Sequence, residues 1–456
     1  MRRSMLLVCV LWCAAAHAEF GDYSLVQTVL NLVAPFGATN PVTPAQRVGP
    51  YPLLSSPPSF EDGYDPQGWY KWQTIQLDAS TGAVCGNGSP YKFFVNRAPN
   101  TSNTVIYMEG GGACWDYESC SGGGLLGARN PNGIPDNYLD YSNPATSLVS
   151  PFVFRFNPWS QTKVQAWNLV YVPYCTGDLY TGDKVAVYEN ATKTQSLVWH
   201  HNGLRNVRAV VAWLKDNVPR PGQALMTGCS AGGGGTIANY VHVRQDLDPV
   251  LAFMINDSGP IYSAPVGADP AVYPSVPLQT QVRAAWGLDN GPLAEMARRL
   301  PGFLASDMGT LNVALAERFP ADRFGHTHFL ADGNYTRYSY EKFYPEIANA
   351  PNDETRRALL AQRWLQDTAR LATLVGPIEN YGYFFPMFRN LNDSHCTTIV
   401  EFANADIQEQ GLELDDFIQS VLAAGSGPVM QALETDPVAD VTKPFNLLYF
   451  VIDQLL

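Results

Sequence analysis

The sequence predicts an α/β fold: a mainly parallel central sheet with helices on both faces and an inserted helical cap. Three observations point there. Short, nearly continuous apolar runs recur at Thr104–Met108, Asn168–Val172, 224–227, 250–255 and 326–330, as strands covered on both faces require. Helical patterns alternate with these runs, most clearly over Gly203–Asn217, and that alternation builds parallel sheets. A glycine-flanked serine, Gly228-Cys229-Ser230-Ala231-Gly232, falls where one apolar run gives way to a helix.

The chain has 456 residues, 46% hydrophobic and 16% charged, with 38 Gly and 34 Pro. This is a globular composition rich in loops. Lys and Arg number 29 against 42 Asp and Glu, a formal net charge of -13. Such a balance disfavours nucleic acid and anionic lipid, which need clustered cations.

At the N-terminus, Arg2 and Arg3 precede an apolar stretch from Met5 to Cys13, and Ala16-His17-Ala18 forms an A-x-A site. Residues 1–18 are therefore expected to be a signal peptide, cleaved before Glu19, and the mature protein to be secreted or periplasmic. No later run is long and apolar enough for a membrane anchor. Residues 19–60, with Pro41, Pro44, Pro50, Pro52, Pro57 and Pro58, form a Pro-rich arm, and 61–456 the α/β domain. Trp72–Leu77 alternates sides and 91–95 is rich in strand formers. Two insertions interrupt the α/β rhythm, at about 115–167 and 258–324. The second carries helical patterns at 279–288 and 293–304 and is the expected cap.

Six cysteines follow the signal: Cys85, Cys114, Cys120, Cys175, Cys229 and Cys396. An even number in an exported chain suggests disulfides; Cys114 and Cys120 are the nearest local pair. No Cys/His spacing suggests a metal, and no organic cofactor is implied.

Gly228 to Gly232 is a G-x-S-x-G in strand–turn–helix context, the setting of an α/β-hydrolase nucleophile elbow. Glycines at the flanks allow the sharp turn that lifts Ser230 to the top of the sheet. The competing reading is a glycine turn that merely packs a helix on the sheet. Glu109-Gly110-Gly111-Gly112-Ala113-Cys114 follows the Thr104–Met108 strand. Its Gly111 and Gly112 N–H groups, with that of Ala231, can form an oxyanion hole; no nucleotide-loop spacing is present. The chain order Ser, acid, His then selects the base. His242 lies in the helix behind the elbow, and His326 and His328 lie in a strand. His395, in the polar loop Asn392-Asp393-Ser394-His395-Cys396, is the base. Asp332, after the 326–330 strand, is the favoured acid; Asp257, after the preceding strand, is the alternative, and Asp393 a third.

Four blocks resemble the pectin acetylesterase family, which includes pectin acetylesterases and Notum-like serine esterases, here as a bacterial-type member. They are Cys85-Gly86-Asn87-Gly88-Ser89-Pro90; Met108 to Cys114 followed by Cys120; Asn168 to Cys175 with Gly182; and Gly228 to Gly233 with Asp257-Ser258-Gly259. The resemblance implies a Ser230, Asp332, His395 triad and the Gly111, Gly112, Ala231 oxyanion hole. It also implies disulfides Cys85–Cys175 and Cys114–Cys120, which leave Cys229 to pair with Cys396. The expected function is a secreted serine carboxylic-ester hydrolase acting on an acylated saccharide such as acetylated pectin. The alternatives are a hydrolase of another ester, polyester or longer acyl chain, and a non-catalytic carbohydrate-binding protein.

Overall fold

The structure, a computed structural model, describes residues 60–61, 64–122, 127–135, 138–139, 149–157, 159–425 and 427–435. The expected signal peptide and nearly all of the Pro-rich arm lie outside them.

The strands in chain order are β1 Phe60–Glu61, β2 Trp72–Leu77, β3 Lys92–Asn96, β4 Thr104–Met108, β5 Asn168–Val172, β6 Lys184–Glu189, β7 Ser196–His201, β8 Gln223–Cys229, β9 Leu251–Asp257, β10 Arg323–Thr327, β11 Tyr381–Phe385 and β12 Gln431–Leu433. Strands β6 and β7 form a separate antiparallel hairpin. The other ten make one sheet in the order β1-β2-β3-β5-β4-β8-β9-β10-β11-β12. From β5 to β12 every pairing is parallel, and β3 runs against both its neighbours. This is an α/β-hydrolase-like sheet.

Among the described residues, the helices of eight residues or more are, in order, α1 Gly203–Asn217, α2 Ala231–Asp246, α3 Val276–Ala285, α4 Pro292–Arg299, α5 Leu311–Arg318, α6 Asp353–Val375 and α7 Leu414–Leu422. They cover both faces of the sheet. On β10, Phe324 stacks edge-on against Tyr240 of α2, ring centroids 5.0 Å apart. A Cβ on the next residue, Gly325, would meet Val421 and Phe417 of α7 at 2.7 and 2.8 Å. Adjacent strand residues face opposite sides, so α2 and α7 lie on opposite faces. Covered on both sides, β4, β5 and β10 are buried at every position.

Three expectations shift. The fifth apolar run forms a strand only over Arg323–Thr327; His328 and Phe329 are as buried as the strand, so apolarity alone does not mark where pairing stops. The helix after the elbow, which helix-forming residues alone would place from Thr236 onward, starts at Ala231. Four successive glycines hide it, because glycine is a poor helix former; they are used for close packing, with Gly234 and Gly235 set against Leu179 and Tyr180. The segment between β9 and β10 holds three helices, α3 to α5, rather than two. It reaches the loop after β4 through Trp286, whose indole N–H donates to the Cys114 carbonyl at 2.8 Å.

Parallel register brings Cys229, Asp257 and Thr327 side by side at the carboxyl edge of β8, β9 and β10. Open α/β sheets bind ligands along this edge.

Candidate active site

Ser230 sits between β8 and α2 with φ 60° and ψ -124°. A serine held there costs about 1–3 kcal/mol and persists only when its surroundings enforce it. They do. The Ser230 N–H donates to the Asp257 carbonyl at 2.9 Å. A Cβ on Gly228 or Gly232 would collide with the Met108 carbonyl, so only glycines let the turn close onto β4. Ser230 is half-buried at the mouth of the bend.

The glycine block after β4 lies against this turn: a Cβ on Gly110 would come within 3.2 Å of Ser230 Cβ. Gly111 and Gly112 have φ of 151° and 64°, which favour glycine. The Gly111 carbonyl accepts the Arg129 N–H at 3.0 Å. The N–H groups of Gly111, Gly112 and Ala231 donate to no acceptor among the described residues. Glu109, buried at the root of the block, anchors it. Its carboxylate accepts the Tyr138 hydroxyl at 2.6 Å and the Tyr174 N–H at 2.9 Å, and pairs with Arg129 at 3.2 Å. The N–H groups of Gly111 and Gly112 are therefore presented by a loop anchored through Glu109 and the Gly111 carbonyl.

His395 follows a left-handed turn, with φ of 53°, 53° and 55° at Asn392, Asp393 and Ser394. Asn and Asp tolerate this conformation better than other side-chain-bearing residues. Its Nδ1 lies 2.7 Å from Asp332 Oδ2. Asp332 does not end a strand. It caps the short helix Gly333–Thr336, Oδ1 accepting the N–H groups of Asn334 and Tyr335 at 2.9 and 2.8 Å. The cap fixes one oxygen and leaves the other facing the imidazole. Asp332 and His395 are 2% and 6% exposed. Burial pulls the imidazole pKa down, but Asp332, aided by the charges of Asp257 and Asp393, outweighs it, and the net shift is upward.

Asp257 makes no hydrogen bond to the imidazole. Asp393 packs against Gly333, where a Cβ would approach its carboxylate at 2.6 Å. His242, His326 and His328 lie elsewhere and are almost wholly buried. Desolvation holds His242 and His326 down at about 3, which keeps them neutral. His326 and His328 bond to each other at 2.9 Å.

The disulfides are Cys85–Cys175, Cys114–Cys120 and Cys229–Cys396. The last joins the neighbour of Ser230 to the neighbour of His395 across 5.6 Å between Cα atoms. A His395 ring nitrogen lies within 4.8 Å of the Cys229 sulfur. The immediate neighbours of Ser230 and His395, 165 positions apart in the numbering, are thus bonded to each other at one end of the sheet. Two groups among the described residues have metal-ligand proximity, Cys114 with Cys120 and His201, and Cys229 with His395 and Cys396. In both, the sulfurs are bonded to each other and lack the thiolate character that metals bind.

Three contributors escaped the sequence reading: Glu109, Arg389 and Tyr335. The Tyr335 ring lies 6.4 Å from the His395 ring. Glu109 is signalled only as a charge at the end of an apolar strand, and Arg389 and Tyr335 carry no local signal.

Elbow, glycine block and the acid–imidazole pair thus lie at the carboxyl end of an α/β-hydrolase-like sheet. Residues 66–262 match the pectinacetylesterase family model. It is 27% identical over 173 residues to pectin acetylesterase 4 of Arabidopsis thaliana, covering 36% of this chain and 38% of that one. It is 25% identical over 226 residues to the palmitoleoyl-protein carboxylesterase NOTUM of Drosophila melanogaster, covering 48% and 31%. The chain thus spans between about a third and two fifths of the length of these two relatives. A solved structure of the Wnt deacylase Notum from Drosophila aligns with TM-score 0.41 and 18% identity over 67% of this chain and 81% of that one.

Proposed function

We propose that this protein is an exported serine carboxylic-ester hydrolase that removes an acyl group from a saccharide, with acetylated pectin as the representative substrate. The observation that carries the reading is the His395–Asp332 bond at 2.7 Å, on a loop joined by a disulfide to the residue beside Ser230. The family relatives support ester chemistry, since those named above are an acetylesterase and a protein carboxylesterase.

In this mechanism His395 Nε2 takes the Ser230 proton as Oγ attacks the ester carbonyl. Asp332 holds the proton on Nδ1 and stabilises the imidazolium. The tetrahedral oxyanion is received by the N–H groups of Gly111, Gly112 and Ala231, each donor contributing about 3 kcal/mol to the transition state. The alcohol leaves with the proton from His395. Water, deprotonated by the same imidazole, then releases the acid and restores Ser230. The residues use no metal or organic cofactor in this sequence. Export accords with three disulfides, and no helix among the described residues is long and apolar enough to cross a membrane.

The test is turnover of p-nitrophenyl acetate and labelling by a fluorophosphonate. Wild type should hydrolyse the ester and label at Ser230, and Ser230→Ala should do neither. Equal activity in both would refute the nucleophile, and an unlabelled, inactive wild type would favour a carbohydrate-binding protein. Acetylated pectin, acetylated xylan and esters of rising acyl length then rank the substrates.

A further inference from the structure

Asp257 stands at the end of β9, fully buried, beside the proposed machinery but not in contact with the reacting atoms. Its carboxylate accepts five hydrogen bonds. Oδ1 takes the Thr397 N–H at 2.8 Å, the Thr397 hydroxyl at 3.1 Å and the Ser258 hydroxyl at 2.9 Å. Oδ2 takes the Thr398 N–H at 2.8 Å and the Thr398 hydroxyl at 2.7 Å. The Ser258 oxygen in turn accepts the Cys396 N–H at 3.1 Å. The three N–H groups that follow His395 therefore all end on Asp257 or its neighbour. Meanwhile the Asp257 main-chain carbonyl accepts the Ser230 N–H at 2.9 Å.

The carbonyls of the same loop end on a buried cation. The Arg389 guanidinium donates to those of Cys396 at 2.7 Å, Thr397 and Glu401 at 3.2 Å and Ile399 at 3.4 Å. A segment without regular secondary structure thus has its donors held by an anion and its acceptors by a cation. Charge-assisted bonds of this kind are about twice as strong as neutral ones.

We propose that Asp257 is the positioning residue of the site, its main chain holding the nucleophile turn and its carboxylate holding the loop of the base. The inference rests on the reading of Ser230, His395 and Asp332 as a hydrolytic triad. Proton transfer between Ser230 and His395 depends on their separation, and a displacement of about 1 Å can cost about 100-fold in rate. Two ties set that separation: the Cys229–Cys396 bond and Asp257. The two ties act on the same loop, so the loss of one should be felt more strongly when the other is absent.

Asp257→Asn tests this. The variant keeps the shape, but its amide nitrogen must face either the Thr397 or the Thr398 pair of donors. In the folded variant, kcat for p-nitrophenyl acetate should fall about 10- to 100-fold while KM changes little, because substrate contacts are untouched. Fluorophosphonate labelling should slow in parallel. In a Cys229→Ser, Cys396→Ser background the same substitution should cost more than in the parent. If Asp257→Asn does not fold, Thr397→Val with Thr398→Val removes two of the five bonds and should lower kcat by about 3- to 10-fold, one modest hydrogen bond each. A folded variant with kcat within twofold of wild type, or strictly additive losses in the double background, would overturn the proposal. A wild type that labels at Ser230 beside an unaffected Asp257→Asn refutes this inference alone, whereas an inert wild type refutes the hydrolase reading.

Discussion

Asp332→Asn isolates the proton logic of the site. In the native protein Asp332 Oδ1 accepts the N–H groups of Asn334 and Tyr335, and Oδ2 accepts Nδ1–H of His395 at 2.7 Å. Asparagine has one acceptor oxygen for these two tasks. Pointing its nitrogen at the helix cap would set a donor against two donors, both at 2.9 Å or less. The cap therefore keeps the oxygen, and the amide nitrogen faces the imidazole. His395 must then carry its proton on Nε2, where it can no longer accept one from Ser230. A wrong tautomer in a triad of this kind lowers kcat by about 10⁴-fold, or about 5.5 kcal/mol of barrier. The surviving cap limits the loss of stability to that of one charge-assisted bond, about 1.5–3 kcal/mol. The assay is kcat/KM for p-nitrophenyl acetate from about pH 5 to 9, which spans the imidazole range, alongside a thermal melt. A folded variant retaining more than a tenth of wild-type activity would refute the tautomer argument and the role of Asp332.

Other outcomes follow from the same contacts. Because the His395 pKa is raised in the folded state, wild-type activity should fall on the acid side at a pH above the ordinary histidine value of about 6.5, measured as the lower limb of kcat/KM. The same shift stabilises the fold fully below about pH 6.5, and the gain is lost as pH rises through the raised value. The stability gap between wild type and Asp332→Asn, followed by denaturant titration at several pH values, should narrow in that direction; a gap independent of pH would contradict it. Gly232→Ala drives a Cβ into the Met108 carbonyl, and should cost about 1–3 kcal/mol and abolish labelling of Ser230; wild-type labelling would show that the turn can relax. Glu109→Gln breaks the pair with Arg129 while its remaining oxygen serves Tyr174. We expect about 1–3 kcal/mol of destabilisation and a lower kcat through a loosened oxyanion loop, read by melting and steady-state kinetics.

The sheet was legible because its central strands are buried on both faces and carry unbroken apolar runs, as Thr104–Met108 and Asn168–Val172 do. The elbow was legible because Gly228 and Gly232 are required by contacts within a few residues of Ser230. Asp332 could be ranked but not understood: its chain position suggested a strand end, whereas what orients it is its own capping of the helix that begins at the next residue. Asp257 was weighed as a rival acid because strand ends hold functional carboxylates. That its oxygens face Thr397 and Thr398, 140 and 141 positions away, cannot be read locally. Arg389 and Glu109 are similar cases, in which partners far along the chain decide what a buried charge does. Helix α6 and the β6–β7 hairpin also went unread, since neither carries a motif and both are half-exposed over much of their length.

The cross-link between Cys229 and Cys396 bears on when the protein becomes competent. Sulfur atoms of this kind couple only where the surroundings remove electrons from them. A newly made copy still among cytosolic reductants would have its serine and imidazole fastened by hydrogen bonds alone. Passage into an oxidising compartment would add the last fastening, joining the turn of one residue to the loop of the other by a covalent bond.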